Sequence, residues 1–301
     1  MNIRKINIED YIRTGEGANG SSYDSISDPS VMVKLYNADY PTETIYSEQE
    51  VARKVYELGV PSPLPGELVT DGERIGIQFR KVEGKRSYSR VFADEPERTE
   101  EFAREFARLC KVLHSTECPE GVFPEAKPQF LHLLEADKAF NADEKAVIAD
   151  FIRNVPDCGT ALHGDMHFGN ALTTLPAGAP MTDPHDTCFI DLGYFSRGCP
   201  FFDMGMMQNI CLYADEDFRV HDFHISGTQT AEIWRYFVDE YFFGPDNLAG
   251  KYFGSGQTIE SVTEVLMPYA AVKLFLVEFN IGIMFPHYEA LIRKAFNLSG
   301  C

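Results

Sequence analysis

Basic residues are scarce in this 301-residue chain: 27 Lys and Arg stand against 46 Asp and Glu, a formal net charge of -19. A sequence-independent nucleic-acid surface needs clustered cations to neutralise phosphates, so no nucleic-acid partner is expected, and neutral or cationic partners fit better. Seven cysteines run from Cys110 to Cys301 without one CxxC pair. That spacing suggests neither a zinc site nor a disulfide framework; reduced thiols and a cytoplasmic location are expected instead. Long apolar runs are also missing. The N-terminus "MNIRKINIEDYIRTGEG" lacks the apolar core of a signal peptide, and the most apolar later stretch, "YAAVKLFLVEFNIGIMF", is interrupted by Lys273 and Glu278, so no membrane span is expected. No solenoid-period repeat and no low-complexity tract is found. What is present is 44% hydrophobic residues, enough to bury a sizeable core in one large or two modest domains.

The first third reads as a small antiparallel sheet. "SSYDSI", "SVMVKLYN", "GELVT" and "RIGIQFRKV" are short β-rich runs punctuated by Gly, Pro, Asp and Ser. Between the second and third, "TETIYSEQEVARKVYELGV" carries Ile45, Val51, Val55 and Leu58 at helical spacing, stopped by Gly59 and Pro61. From about Pro96 the pattern changes to long amphipathic helices, among them "RTEEFAREFARLCKVLHS", "ADEKAVIADFIRNV" and "TAEIWRYFVDEYFF". The expected architecture is α+β in two lobes, 1–83 and 84–301, joined near "RKVEGKRS". "TLPAGAPMTDPHDTC" reads as a hairpin insertion between two apolar runs.

In "LHGDMHFGNAL", residues 162–172, Asp165 precedes Asn170, and after the insertion "CFIDLGYF" adds Asp191. If the apolar runs pair as strands, Asn170 and Asp191 can approach one Mg²⁺, a hard ion that prefers oxygen ligands and is commonly shared with substrate phosphates. Asp165 is left to orient a substrate hydroxyl and accept its proton. HxD and Asp-Gly pairs are common in turns; the ordered set of three oxygen-bearing side chains argues for chemistry.

"HGDMHFGN" followed by "IDLG" resembles the catalytic and metal motifs of the aminoglycoside phosphotransferase and choline kinase-like family. The resemblance implies a protein-kinase-like fold, ATP and Mg²⁺ as cofactors, and phosphoryl transfer to a hydroxyl of a small molecule such as an aminoglycoside, sugar or amino alcohol. By position it implies that Asp165 is the catalytic aspartate, Asn170 a magnesium ligand and Asp191 the aspartate holding magnesium against the ATP phosphates. His163 is read as scaffolding. Phe168 stands where the family more often has Pro. Asp203 in "GCPFFDMGMM" resembles the acidic residue that braces the catalytic loop through its backbone.

The N-terminal third is compatible with this. Gly15, Gly17 and Gly20 match G-x-G-x-x-G but are followed by strands, unlike a dinucleotide-binding turn, which leads into a helix. A kinase-type glycine loop is expected, with Gly17, Gly20, Ser21 and Ser22 near the phosphates. Lys34 lies among apolar strand residues, and the resemblance implies that it holds the α- and β-phosphates while paired with Glu48, with Glu50 as the other candidate. The resemblance implies that Arg80, Lys81 and Val82 form the adenine-binding hinge; by their residues alone they are equally compatible with an ordinary interlobe linker. The acids Asp215, Glu216, Asp217, Asp222, Glu232, Asp239 and Glu240, interleaved with Tyr213, Phe218, Trp234, Tyr236 and Tyr241, suggest a wall for a neutral or cationic acceptor. Two other readings remain: a kinase-fold nucleotide-binding regulatory protein without effective turnover, and a Zn²⁺- or Mn²⁺-dependent hydrolase built on His163, Asp165 and His167.

Overall fold

The computed structural model describes residues 3–17, 19–174 and 187–298. These fall into two compact units. The first takes the described part of 1–86 together with 172–174 and 187–193; the second takes 87–171 and 194–298.

The first unit is built on a six-stranded sheet: β1 (Arg4–Lys5), β2 (Tyr11–Gly17), β3 (Gly20–Ser25), β4 (Val31–Tyr36), β5 (Pro65–Thr70) and β6 (Ile75–Arg80), in the spatial order β1-β5-β6-β4-β3-β2. All its pairings are antiparallel except that of β1 with β5, which is parallel. Alternation along β4 sorts its side chains. Val33 and Leu35 enter a cluster with Ile6 and Val69. Tyr36, on the opposite face, packs with Ile45 of helix α1 (Thr42–Glu57), Leu68 and Ile77. Lys34 shares that second face and points toward α1. The helix buries Ile45, Glu48, Gln49, Ala52 and Val55, one stripe at helical spacing, and Gly59 at φ +85° turns the chain away beyond its end.

The glycine-rich segment, expected as a kinase-type glycine loop, joins two paired strands. Strand β2 extends through Gly17, pairing Glu16 with Ser21 and Gly17 with Gly20, so the glycines lie at the tip of a β-hairpin on the sheet edge. Gly20 has a packing reason to be glycine: a Cβ there would sit 2.3 Å from the Leu35 carbonyl oxygen.

A short strand β7 (Arg86–Ser87) ends the first unit, and helices dominate the second: α2 (Tyr88–Asp94), α3 (Thr99–Ser115), α4 (Ala126–Ala136), α5 (Ala142–Asn154), α6 (Phe201–Gln208), the one-turn α7 (Glu216–Phe218), α8 (Gly227–Phe243), α9 (Leu248–Phe253), α10 (Ile259–Ile281) and α11 (Pro286–Ala295). Capping boxes start α5 at Asn141 and α10 at Thr258. Over 269–276 every residue of α10 is buried, as expected of a helix apolar on all sides. No helix among the described residues is long and apolar enough to cross a membrane. Strands β8 (Thr160–Leu162) and β11 (Ser196–Gly198) pair antiparallel and flank the central motif. The two apolar runs around the expected insertion do become neighbouring strands, β9 (Ala171–Thr173) and β10 (Thr187–Phe189). Most of that insertion, 175–186, lies outside the described residues.

Candidate active site

In the first unit three charged side chains meet. The Nζ of Lys34 donates to Oε1 of Glu48 and to Oδ1 of Asp191, at 2.9 Å each. Burial alone would lower the Lys34 pKa, but the adjacent Asp191 and Glu48 carboxylates raise it above the ordinary lysine value, so the ammonium stays charged. Glu48 is buried on α1, whereas Glu50 lies on the exposed side and pairs with Lys54 at 2.7 Å. The partner of Lys34 on α1 is therefore Glu48. Asp191 adopts φ +60°, a left-handed conformation that Asp tolerates better than most residues and that concentrates at functional sites.

Ser21 is buried and accepts from the Arg13 guanidinium at 3.0 Å, and the Ser22 carbonyl accepts from the Thr14 hydroxyl at 3.4 Å. At the expected hinge, the Arg80 N–H bonds the Leu64 carbonyl and the Lys81 N–H bonds the Ser30 carbonyl, so both amides are committed within the sheet. Lys81 also pairs with Asp24 at 2.6 Å. Val82, between Lys81 and the turn at Gly84, is half-buried.

In the second unit Asp165 stands in a turn held by its neighbours. Asn170 Nδ2 donates to the Asp165 carbonyl at 3.0 Å and to its Oδ2 at 3.3 Å. The Asp165 N–H donates to His163 Nδ1 at 3.3 Å, and the Gly169 N–H donates to His167 Nδ1 at 3.0 Å. Both imidazoles thus serve the loop's backbone, which argues against the hydrolase reading. Gly164 has φ +85°, and a Cβ on it would fall 1.9 Å from the Tyr194 carbonyl oxygen, so only glycine fits. Phe168, where the family more often has Pro, is fully buried and packs edge-on against Phe92 and Phe223.

Asp203, at the start of α6, is fully buried and accepts from the N–H of His163 at 2.7 Å and of Gly164 at 2.9 Å. His114 Nε2 lies 3.2 Å from the same carboxylate, and His114 Nδ1 lies 2.8 Å from the Tyr241 hydroxyl. Burial would raise the Asp203 pKa; the hydrogen bond and charge of His114, with the charges of Lys273 and His163, hold it below the usual aspartate value. Sequence reasoning missed His114 and the roles of Tyr241, expected in an acceptor wall, and of Lys273. Lys273 was visible only as a charge interrupting an apolar stretch, and a lysine so placed is the available signal.

The expected acceptor wall is not assembled as such. Trp234 and Tyr241 are core residues, bonded to Thr263 and His114 respectively. Asp239 and Glu240 pair with Arg104 and Arg108, and Glu216 pairs with Arg219 and caps the Gly227 amide. Helix amphipathicity explains this: on α8 Trp234 and Tyr241 fall on the buried stripe, and Asp239 and Glu240 face α3 arginines. Phe218 remains exposed, and Tyr236 is half-buried beneath Arg235.

The model of the phosphotransferase enzyme family (APH) matches residues 13–237. No curated protein matches the sequence. Among solved structures, the chain is similar to an aminoglycoside-3'-phosphotransferase of type VIII, with 18% identity, a TM-score of 0.54 and coverage of 88% of this chain and 94% of that one. The streptomycin-ATP complex of APH(2")-IIa gives 16% identity and a TM-score of 0.53 over 95% and 90% of the two chains. ADP-bound aminoglycoside phosphotransferase APH(2'')-Ib gives 16% and 0.53 over 96% and 93%. These likenesses establish a shared kinase-like aminoglycoside phosphotransferase fold, and the family match spans most of the sequence and both motifs: the chain belongs to the APH phosphotransferase enzyme family.

Proposed function

We propose that this phosphotransferase moves the γ-phosphoryl group of ATP, with Mg²⁺, to a hydroxyl of a neutral or cationic small molecule. The observation that carries the reading is the state of Asp165. Its backbone is fixed from several sides while its side chain keeps 30% of its surface exposed, as a carboxylate that must meet an acceptor hydroxyl requires. In this role Asp165 orients the hydroxyl and takes its proton. Lys34, kept charged by Glu48, binds the α- and β-phosphates, and the amides around Gly17, Gly20, Ser21 and Ser22 cover them. The strand end at Arg80, Lys81 and Val82 receives the adenine through backbone atoms other than the two amides already bonded.

Asn170 and Asp191 would hold Mg²⁺, which when bound neutralises charge on the phosphates. The donor chemistry suits that ion: an amide oxygen and a carboxylate are hard ligands. Among the described residues no group of three His, Cys, Asp or Glu side chains forms a cage, and Mg²⁺ uses few protein ligands because water and phosphate oxygens complete its shell. The streptomycin and nucleotide complexes of similar structures support a small hydroxylated acceptor and a nucleoside triphosphate donor, and the net charge of -19 supports a neutral or cationic acceptor.

The test is an ADP-release screen with Mg-ATP and a panel of aminoglycosides, sugars and amino alcohols. An acceptor that stimulates release is expected, and Asp165→Asn should lower its turnover by about 10²-fold or more with nucleotide affinity nearly unchanged. ATP binding without acceptor-dependent release across the panel would overturn the reading in favour of a regulatory nucleotide-binding protein.

A further inference from the structure

A lysine is rarely buried without a specific task, and Lys273 is 1% exposed in the middle of α10. Its ammonium donates to the carbonyl oxygen of Gly164 and lies 5.2 Å from the centroid of the Phe130 ring. Burial holds the Lys273 pKa below the ordinary lysine value, with the charges of Asp203 and Asp165 opposing it in favour of the ammonium. The Gly164 carbonyl belongs to the peptide that joins Gly164 to Asp165. The other polar atom of that same peptide, the Asp165 N–H, donates to His163 Nδ1. One peptide back along the chain, the Gly164 N–H is held by Asp203.

The helices that supply these groups are locked together. Gly205 of α6 lies so close to α10 that a Cβ would stand 2.6 Å from the Tyr269 carbonyl, and Asn209 Nδ2 donates to the Ala270 carbonyl at 2.8 Å. Asp203 and Lys273 therefore act from one rigid support, the first on N–H groups and the second on a carbonyl.

We propose that Lys273 is a positioning residue for phosphoryl transfer: by gripping the Gly164 carbonyl it fixes the plane of the peptide preceding Asp165 and so the direction of the Asp165 carboxylate. The inference rests on the role of Asp165 given above. Rotation of that peptide would swing the carboxylate without disturbing the nucleotide, so Lys273 affects the chemical step and leaves nucleotide binding alone. Removing the ammonium while keeping the volume, as Met does, costs the grip but not the packing.

The experiment compares Lys273→Met and Lys273→Ala with the wild-type chain. Hydrogen exchange of the segment 162–170 in Lys273→Met should accelerate at least about tenfold, with α3 unchanged. Turnover in ADP release should fall by about tenfold or more while KM for Mg-ATP stays within about twofold. In Lys273→Ala, propylammonium should restore turnover and the uncharged propanol should not. Wild-type exchange and turnover in Lys273→Met, or equal rescue by propanol, would overturn the proposal by showing a packing role only. If Lys273→Met does not fold, Lys273→Ala with the two additives decides. Failure of the wild-type chain to release ADP would count against the phosphotransferase reading alone, since the exchange measurement needs no acceptor.

Discussion

The Nζ of Lys34 lies 2.9 Å from Oε1 of Glu48, fourteen positions later in the chain, and the carboxylate is almost fully enclosed where α1 crosses the sheet. The same ammonium reaches Asp191 at 2.9 Å, so one cation serves two anions of unequal burial. Substitutions on the two sides should therefore differ. Lys34→Met leaves Glu48 buried without its cation and should cost about 3 kcal/mol, whereas Glu48→Gln leaves Lys34 with Asp191 and should cost less. Urea unfolding of both variants and the double variant should show a combined loss smaller than the sum, with coupling of about 1 kcal/mol or more. Strict additivity would contradict a shared unit.

Asp203 holds two backbone N–H groups and a histidine in a fully buried position. Asp203→Asn exchanges a charge-assisted acceptor for an amide that must turn a donor toward one of them. It also takes away a carboxylate that offsets the Lys273 charge. A loss of about 3 kcal/mol is expected from chemical denaturation. Unchanged stability would show that the loop holds its shape without Asp203.

The Glu278 pKa is pushed up to about 7, first by burial and then by the neighbouring Asp137 carboxyl, with Lys145 opposing. A carboxyl raised in the folded state binds its proton there more tightly than in the unfolded chain. Its contribution is complete below the unfolded value of about 4.5 and is lost as pH rises through about 7. Thermal melts from pH 5 to 7.5 should show this decline, and Glu278→Gln should flatten it. A variant with the wild-type slope would place the pH dependence elsewhere.

The neighbouring Cys199 thiol lowers the Cys158 pKa to about 7 against the opposing effect of burial, while burial pushes Cys118 and Cys188 up to about 11. Thiolate is the reactive form. Brief iodoacetamide treatment at pH 7, read by mass spectrometry, should label Cys158 ahead of the other described cysteines, and Cys199→Ala should slow it several-fold. Faster labelling of Cys188 would refute the assignment.

Patterns that repeat over a few residues were open to reading in the chain itself. Alternation in "VMVKLYN" and the stripe of Ile45, Val55 and their neighbours suffice for strand and helix, because side-chain direction follows backbone period alone. The order of Asp165, Asn170 and Asp191 marked where chemistry could reside, since that order survives any tertiary arrangement. The choice of partners did not. Glu48 and Glu50 stand two positions apart on one helix, and which one meets Lys34 depends on how α1 is rotated against the sheet, a matter of packing across the whole unit. Trp234 and Tyr241 alternate with acids on α8 in the sequence, yet only the docking of that helix on α3 sends the rings inward and pairs the acids with arginines. Lys273 looked like a blemish in an apolar run. Its meaning arises 109 residues away at Gly164, where a buried carbonyl in a glycine-only turn needs a donor and the lysine ammonium provides it.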